Sequence, residues 1–132
     1  MLDLGTLGND PSSSVAFSIN DHGQIVGSAA GHAFLYSGRK MRDLGTLGGP
    51  SSTANCINNR GEVVGEAAIA EGGQVAFLYK GGQMLDLNTL ISPNSGASLA
   101  GATSINDAGQ IVASASNGGL LLLTPECPGI RP

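Results

Sequence analysis

At 132 residues with a net charge of −4, the chain has the length of one domain and lacks the basic stripe that would neutralise phosphates, which excludes a nucleic-acid partner. Its longest strongly apolar run, Leu120 to Leu123, falls far short of the roughly 20 residues that span a bilayer, and no polybasic patch suits an anionic membrane surface, so membrane insertion is not expected. Charged residues are only 12%, beside 21 glycines and 41% hydrophobic residues, a balance that suits strands covered on both faces by other strands.

The chain opens on M-L-D-L-G-T-L-G at Met1, and the same segment returns as M-R-D-L-G-T-L-G at Met41 and M-L-D-L-N-T-L at Met84. Between these lie two further recurring elements. I-N-D-H-G-Q-I-V-G begins at Ile19, I-N-N-R-G-E-V-V-G at Ile57 and I-N-D-A-G-Q-I-V-A at Ile105. A-F-L-Y begins at Ala33 and Ala76, and L-L-L-L stands in its place at Leu120. Recurrence at a spacing of about 40 residues is the mark of a repeat architecture in which each unit buries its faces against its neighbours.

Every element reads as strand. Asn20, Asn58 and Asn106 stand where the first residue of a turn holds the backbone with its side chain. Gly23, Gly61 and Gly109 follow at the position that needs a positive φ. Each unit is therefore expected to be four antiparallel strands, A to D, at 15–20, 24–29, 32–37 and 40–45 in the first copy. The predicted organisation is one repeat domain over 1–125: a D-type strand at 1–5, unit one at 15–45, unit two at 53–88, and unit three at 100–124 with strands A to C only. A tail follows at 126–132. The stretch 67–71 is read as an enlarged loop between strands B and C of unit two, and 91–97 as another loop. Apolar residues on both faces of the strands call for stacking of small twisted sheets, so the expected fold is all-β and propeller-like, with a β-solenoid or β-sandwich as the alternative.

The motifs H-A-F-L-Y from His32, D-L-G-T-L-G-G from Asp43 and I-N-x-x-G-[QE]-[IV]-V-G resemble the HAF-repeat family of bacterial extracellular repeat proteins. The resemblance runs from Met1 to about Pro125, and the closing L-L-L-L-T-P is similar to the family's usual A-F-L-L-T-P. It implies an extracellular or cell-surface setting and brings no catalytic residues with it. The chain departs from the pattern in several places. Val75 and Gly119 stand where the first copy has His32, Tyr36 and Tyr79 stand where the family often has tryptophan, and Ala113 stands where the other copies have Gly27 and Gly65. It also carries fewer repeats than is usual for the family, and no charged segment leading into an apolar stretch opens it as an export signal would.

The strand inventory, twelve in all, makes three whole blades if strand 1–5 completes the last one. Three blades fall below the usual range of about four to eight. Two expectations follow: a homodimer in which each chain lends its N-terminal strand to the other and closes a six-bladed ring, or a chain that is a fragment of a longer array.

Chemistry-bearing residues are sparse. His22 is expected in an exposed turn and His32 at the start of a strand, and two histidines without an acidic or cysteine cluster make no zinc site. Asp3, Asp43 and Asp86 occupy equivalent positions, so they could form a ring of carboxylates; repetition in every copy favours a local hydrogen bond at the end of each D strand instead. Asn20-Asp21 and Asn106-Asp107 offer oxygens to calcium, but Asn58-Asn59-Arg60 brings an arginine into the equivalent turn, and no segment matches a calcium loop. D-L-G-T-L-G-G lacks the lysine and the strand-to-helix context of a phosphate loop; Gly48-Gly49 is expected to carry the chain from one blade to the next. Cys56 and Cys127 are two unpaired thiols or one disulfide tying down the tail. No catalytic, cofactor or metal residue is assigned and no cofactor is expected. The expected role is a non-enzymatic binding or structural module, with an unidentified ligand or protein partner. A lectin-like propeller and a hydrolase or lyase on a propeller scaffold are the alternatives.

Overall fold

The computed structural model describes residues 14–91, 98–126 and 129–131. They form three antiparallel sheets in chain order, with no α-helix among them. Sheet I holds β1 (Ser14–Ile19), β2 (Ile25–Ala29), β3 (His32–Ser37) and β4 (Lys40–Gly45). Sheet II holds β5 (Gly48–Ile57), β6 (Val63–Ile69), β7 (Gln74–Lys80) and β8 (Gln83–Asp86), closed by a single 3-10 turn at Leu87–Thr89. Sheet III holds β9 (Leu99–Ile105), β10 (Ile111–Ala115) and β11 (Leu120–Glu126), extended by the short β12 (Gly129–Arg131). Each sheet is a meander in which every strand pairs with the next. The all-β fold of tandem four-stranded units is the one the repeats predict.

The first hairpin of each unit follows from its Asn-x-x-Gly turn. The three glycines take φ of +75°, +78° and +84° at Gly23, Gly61 and Gly109, in the left-handed region where a side chain is strained. Each A strand also carries a bulge at one equivalent place: the register shifts between Ala16 and Ser18, between Ala54 and Cys56, and at the Ala102–Ser104 step. The extra residue turns the strand so that Ala54 and Ile57 both face sheet I while Cys56 faces sheet III.

The core forms between the sheets. Val26, Ala33 and Leu35 on sheet I meet Ala54, Ile57, Val63, Phe77 and Tyr79 on sheet II. Val64, Ala76 and Leu78 on the opposite face of sheet II meet Leu99, Ala102, Ile105, Ile111 and Leu123 on sheet III, with Leu87 and Ile91 sealing one end. Sheet II is therefore apolar on both faces, which is why its strands do not alternate cleanly in sequence.

Two details differ from the sequence reading. The expected loop at 67–71 is mostly strand: Ala67 pairs with Val75 and Ala68 with Gln74, and the turn itself is confined to the residues between Ile69 and Gln74. The Gly72-Gly73 pair, both at positive φ, makes a turn tight enough for the alanines to stay in the ladder. Unit three does acquire a fourth strand, drawn from what was read as tail: Gly129 to Arg131 pair with Thr124 to Glu126 of β11. That pairing lies beyond Leu123, where β11 leaves its partnership with β10. Strand 1–5, and most of the 91–97 loop, lie outside the described residues.

Candidate functional site

The densest polar constellation lies where the three Asn-x-x-Gly turns come side by side. Within each turn the asparagine works locally. Asn58 Oδ1 accepts the N–H groups of Arg60 at 3.0 Å and Glu62 at 2.9 Å, and Asn20 Oδ1 accepts those of His22 and Gln24, both at 3.0 Å. In unit three Asn106 Oδ1 accepts the Gln110 N–H at 2.9 Å. The side-chain amide then donates to the residue four places on: to Gln24 Oε1 at 2.7 Å, Glu62 Oε1 at 2.7 Å and Gln110 Oε1 at 2.9 Å. This explains the Gln or Glu that closes every I-N-x-x-G-[QE] motif, a role the repeat pattern marked without revealing its partner.

The same amides also join one unit to the next. Asn20 Nδ2 donates to the Asn58 carbonyl and Asn58 Nδ2 to the Asn106 carbonyl, both at 3.0 Å. One residue further along runs a second rail. The Asp21 N–H donates to Asn59 Oδ1 at 2.7 Å, and the Asn59 N–H to Asp107 Oδ1 at 2.8 Å. Asn59 Nδ2 lies between two carboxylates, donating to Asp21 Oδ2 at 2.9 Å and Asp107 Oδ2 at 2.8 Å. These bonds hold the Asp107 carboxyl below its ordinary range, the backbone donor contributing most and the side-chain donor next. A third link runs from the Ile57 N–H to Ser18 Oγ at 3.2 Å, and its counterpart brings Cys56 Sγ to 3.6 Å from the Ile105 carbonyl.

The asparagine at 59 is what lets the second rail form. An aspartate there, as in the other two copies, would set three carboxylates in a row. The oxygens that might have been offered to calcium are turned on this carboxamide and on backbone N–H groups. Among the described residues no group of three or more His, Cys, Asp or Glu side chains is arranged to hold a metal ion.

The remaining sequence candidates are dispersed. His22 is exposed in its turn. His32 Nδ1 lies 2.9 Å from Asp43 Oδ2, a partly exposed pair at the edge of sheet I that carries opposite charges only while the ring is protonated. Asp43 Oδ1 also accepts the Gly45 N–H at 2.7 Å, and Asp86 Oδ1 accepts the Asn88 N–H at 2.8 Å. Both thus make the local bond that repetition favoured; Asp3 lies outside the described residues. Cys56 is a free, half-buried thiol, and Cys127 is outside the described residues.

Glu66 is a residue that sequence reasoning passed over. It lies between sheets II and III, where its Oε2 accepts from Asn55 Nδ2 at 2.7 Å, and the same amide donates to the Ala102 carbonyl at 2.9 Å. Burial pushes its carboxyl above the usual range, and the bond from Asn55 offsets only part of that shift. Unit one has Ser28 and unit three Ser114 at this register, so only the difference between copies could have singled it out.

No protein-family model, curated protein or solved structure matches the chain.

Proposed function

We propose that the chain is a non-enzymatic repeat module, structural or binding in role, whose sheets stack in propeller fashion along the line of hairpin turns. The observation that carries this reading is the ladder itself. The polar side chains most concentrated in the fold are spent on one another, through two rails that tie all three units together. Groups committed to that many mutual bonds hold architecture; a catalytic group needs freedom to exchange protons with a substrate. The resemblance of the repeats to HAF-repeat proteins supports an extracellular setting for such a module.

The test is a panel of ester, glycoside and uronate-polymer substrates assayed on the intact protein, beside the His32→Ala variant. No turnover above buffer is expected. Turnover that disappears in His32→Ala would overturn the reading in favour of a hydrolase or lyase.

A further inference from the structure

The contacts that join the sheets within the chain are directional, and among the described residues each end of the series keeps apolar side chains exposed that are buried at the inner joints, although Ala29, Phe34 and Tyr36 on the outer face of sheet I are already buried. Sheet I receives β5 on Val26, Ala33 and Leu35, exposed by 0%, 0% and 8%, and sheet II receives β9 on the equivalent Val64, Ala76 and Leu78, exposed by 0%, 0% and 4%. The pairing registers identify their counterparts in sheet III as Val112, Leu120 and Leu122. These three are exposed by 37%, 73% and 53%. At the other end, Ile57 and Ile105 are exposed by 5% and 6% against the preceding sheet, whereas the equivalent Ile19 of β1 is exposed by 65%. Ala16 is exposed too, where Ala54 and Ala102 are fully buried.

The polar rail is open at the same two ends. Among the described residues Asn106 Nδ2 donates only to Gln110 Oε1, without the bond to a following turn that Asn20 and Asn58 make. Among the described residues the Asn20 carbonyl accepts only from the Gly23 N–H within its own turn, whereas the Asn58 and Asn106 carbonyls each accept a neighbour's amide as well.

We infer that the exposed face of sheet III, at Val112, Leu120 and Leu122, docks β1 of a second copy of this chain, repeating the contact that β5 and β9 make with the preceding sheet within the chain. Ala16 and Ile19 of the second copy take the places of Ala54 and Ile57, and its Asn20 carbonyl accepts from Asn106 Nδ2. The occupant is specified by complementarity: the surface that fits this face is already present in the chain, at the opposite end of the stack. The interface is heterologous, so copies associate head to tail and either close a ring or continue. The joint also brings Asp107 beside Asp21 without an intervening asparagine. Moderate salt, which screens that pair, is therefore the condition for measurement.

Ile19→Asp and Leu122→Asp each change an exposed side chain on one half of the joint, so both variants should fold as the parent by circular dichroism. In sedimentation velocity at about 100 μM, the parent is expected to associate. Each variant alone should lose at least about 100-fold in association constant, because a carboxylate would be buried among apolar groups. An equimolar mixture retains one intact joint and should give a 1:1 dimer. A monomeric parent, a variant that self-associates as the parent does, or a mixture that stays monomeric would each overturn the inference. So would a dimer indifferent to both substitutions, the result expected of exchanged chain ends. Should either substitution disturb folding, Ala16→Lys and Leu120→Lys provide the same complementary pair. Enzymatic turnover would leave this test untouched, and a monomeric parent would leave the proposed non-enzymatic role untouched.

Discussion

Asn58 has the most demanding position of any single residue. It is 3% exposed and makes four side-chain hydrogen bonds, three inside its own turn and one to the next unit. Taking each such bond at about 1 kcal/mol net, Asn58→Ala should cost about 3–4 kcal/mol. Asn106 is exposed and, among the described residues, makes no link to a further unit, so Asn106→Ala should cost about 1–2 kcal/mol. Urea denaturation of the two variants side by side measures the difference; equal losses would deny the inter-unit bond its role. Glu66 makes the opposite kind of prediction. Its folded-state carboxyl titrates above the ordinary glutamate value, so its contribution is fully present below about pH 4.3 and is lost as the pH rises through the raised value. Glu66→Gln keeps an acceptor for Asn55 and removes the buried charge. The variant should be more stable than the parent at pH 7 and equal to it near pH 4, in denaturation curves run at both values. Asp107 has the reverse sign. Its lowered carboxyl supports the fold above its unfolded value, and that support is lost as the pH falls through the folded one.

Among the elements, the hairpin between strands A and B was the most legible. Its asparagine, its glycine at positive φ and the strands on either side all follow from local chemistry that a short window contains. The close approach of the two strands was less so. A Cβ on Gly65 would lie 2.0 Å from the Thr53 carbonyl oxygen and 3.0 Å from the Phe77 ring, and one on Gly27 would lie 1.9 Å from the Val15 carbonyl oxygen. Gly65→Ala should therefore cost about 3 kcal/mol by forcing the bulged strand aside, a loss readable as a lowered thermal midpoint. Ala113 occupies the same place in unit three, where β9 carries a second register shift, between the Ser114 and Ala115 partners. The misread stretch at 67–71 has a simple cause. Alanines give no strand signal of their own, and it is the pairing of Ala67 and Ala68 with Val75 and Gln74 that holds them extended.

Among the described residues, two inter-sheet cores, each bounded by neighbouring units in chain order, carry most of the buried apolar surface, beside a smaller cluster of Ala29, Phe34 and Tyr36 on sheet I. Such an array behaves as a sum of units and joints, so weakening one joint should uncouple the part beyond it. Leu99, 1% exposed, is the first residue of sheet III in the core it shares with sheet II. Leu99→Ala should cost about 3 kcal/mol. It should also raise hydrogen exchange in β9 to β11 more than in β2 and β3. Uniform acceleration across all three sheets would show instead that the stack unfolds as one body.

The sequence by itself determined the number of repeats, the strand-turn-strand grammar of each and the all-β class, because these depend on residues close together in the chain. It also marked Asn20, Asn58 and Asn106 as turn-forming, since an asparagine's bonds to its own backbone are local. Only the tertiary structure decided what those amides do with their remaining hydrogens. Whether Nδ2 reaches the neighbouring turn depends on how one sheet lies on the next, a distance of 38 residues from Asn20 to Asn58 and 48 from Asn58 to Asn106. The same stacking decided which copies of one apolar position are buried. Leu35, Leu78 and Leu122 are the same residue type at the same register, and only the presence of a following sheet separates the buried two from the exposed third.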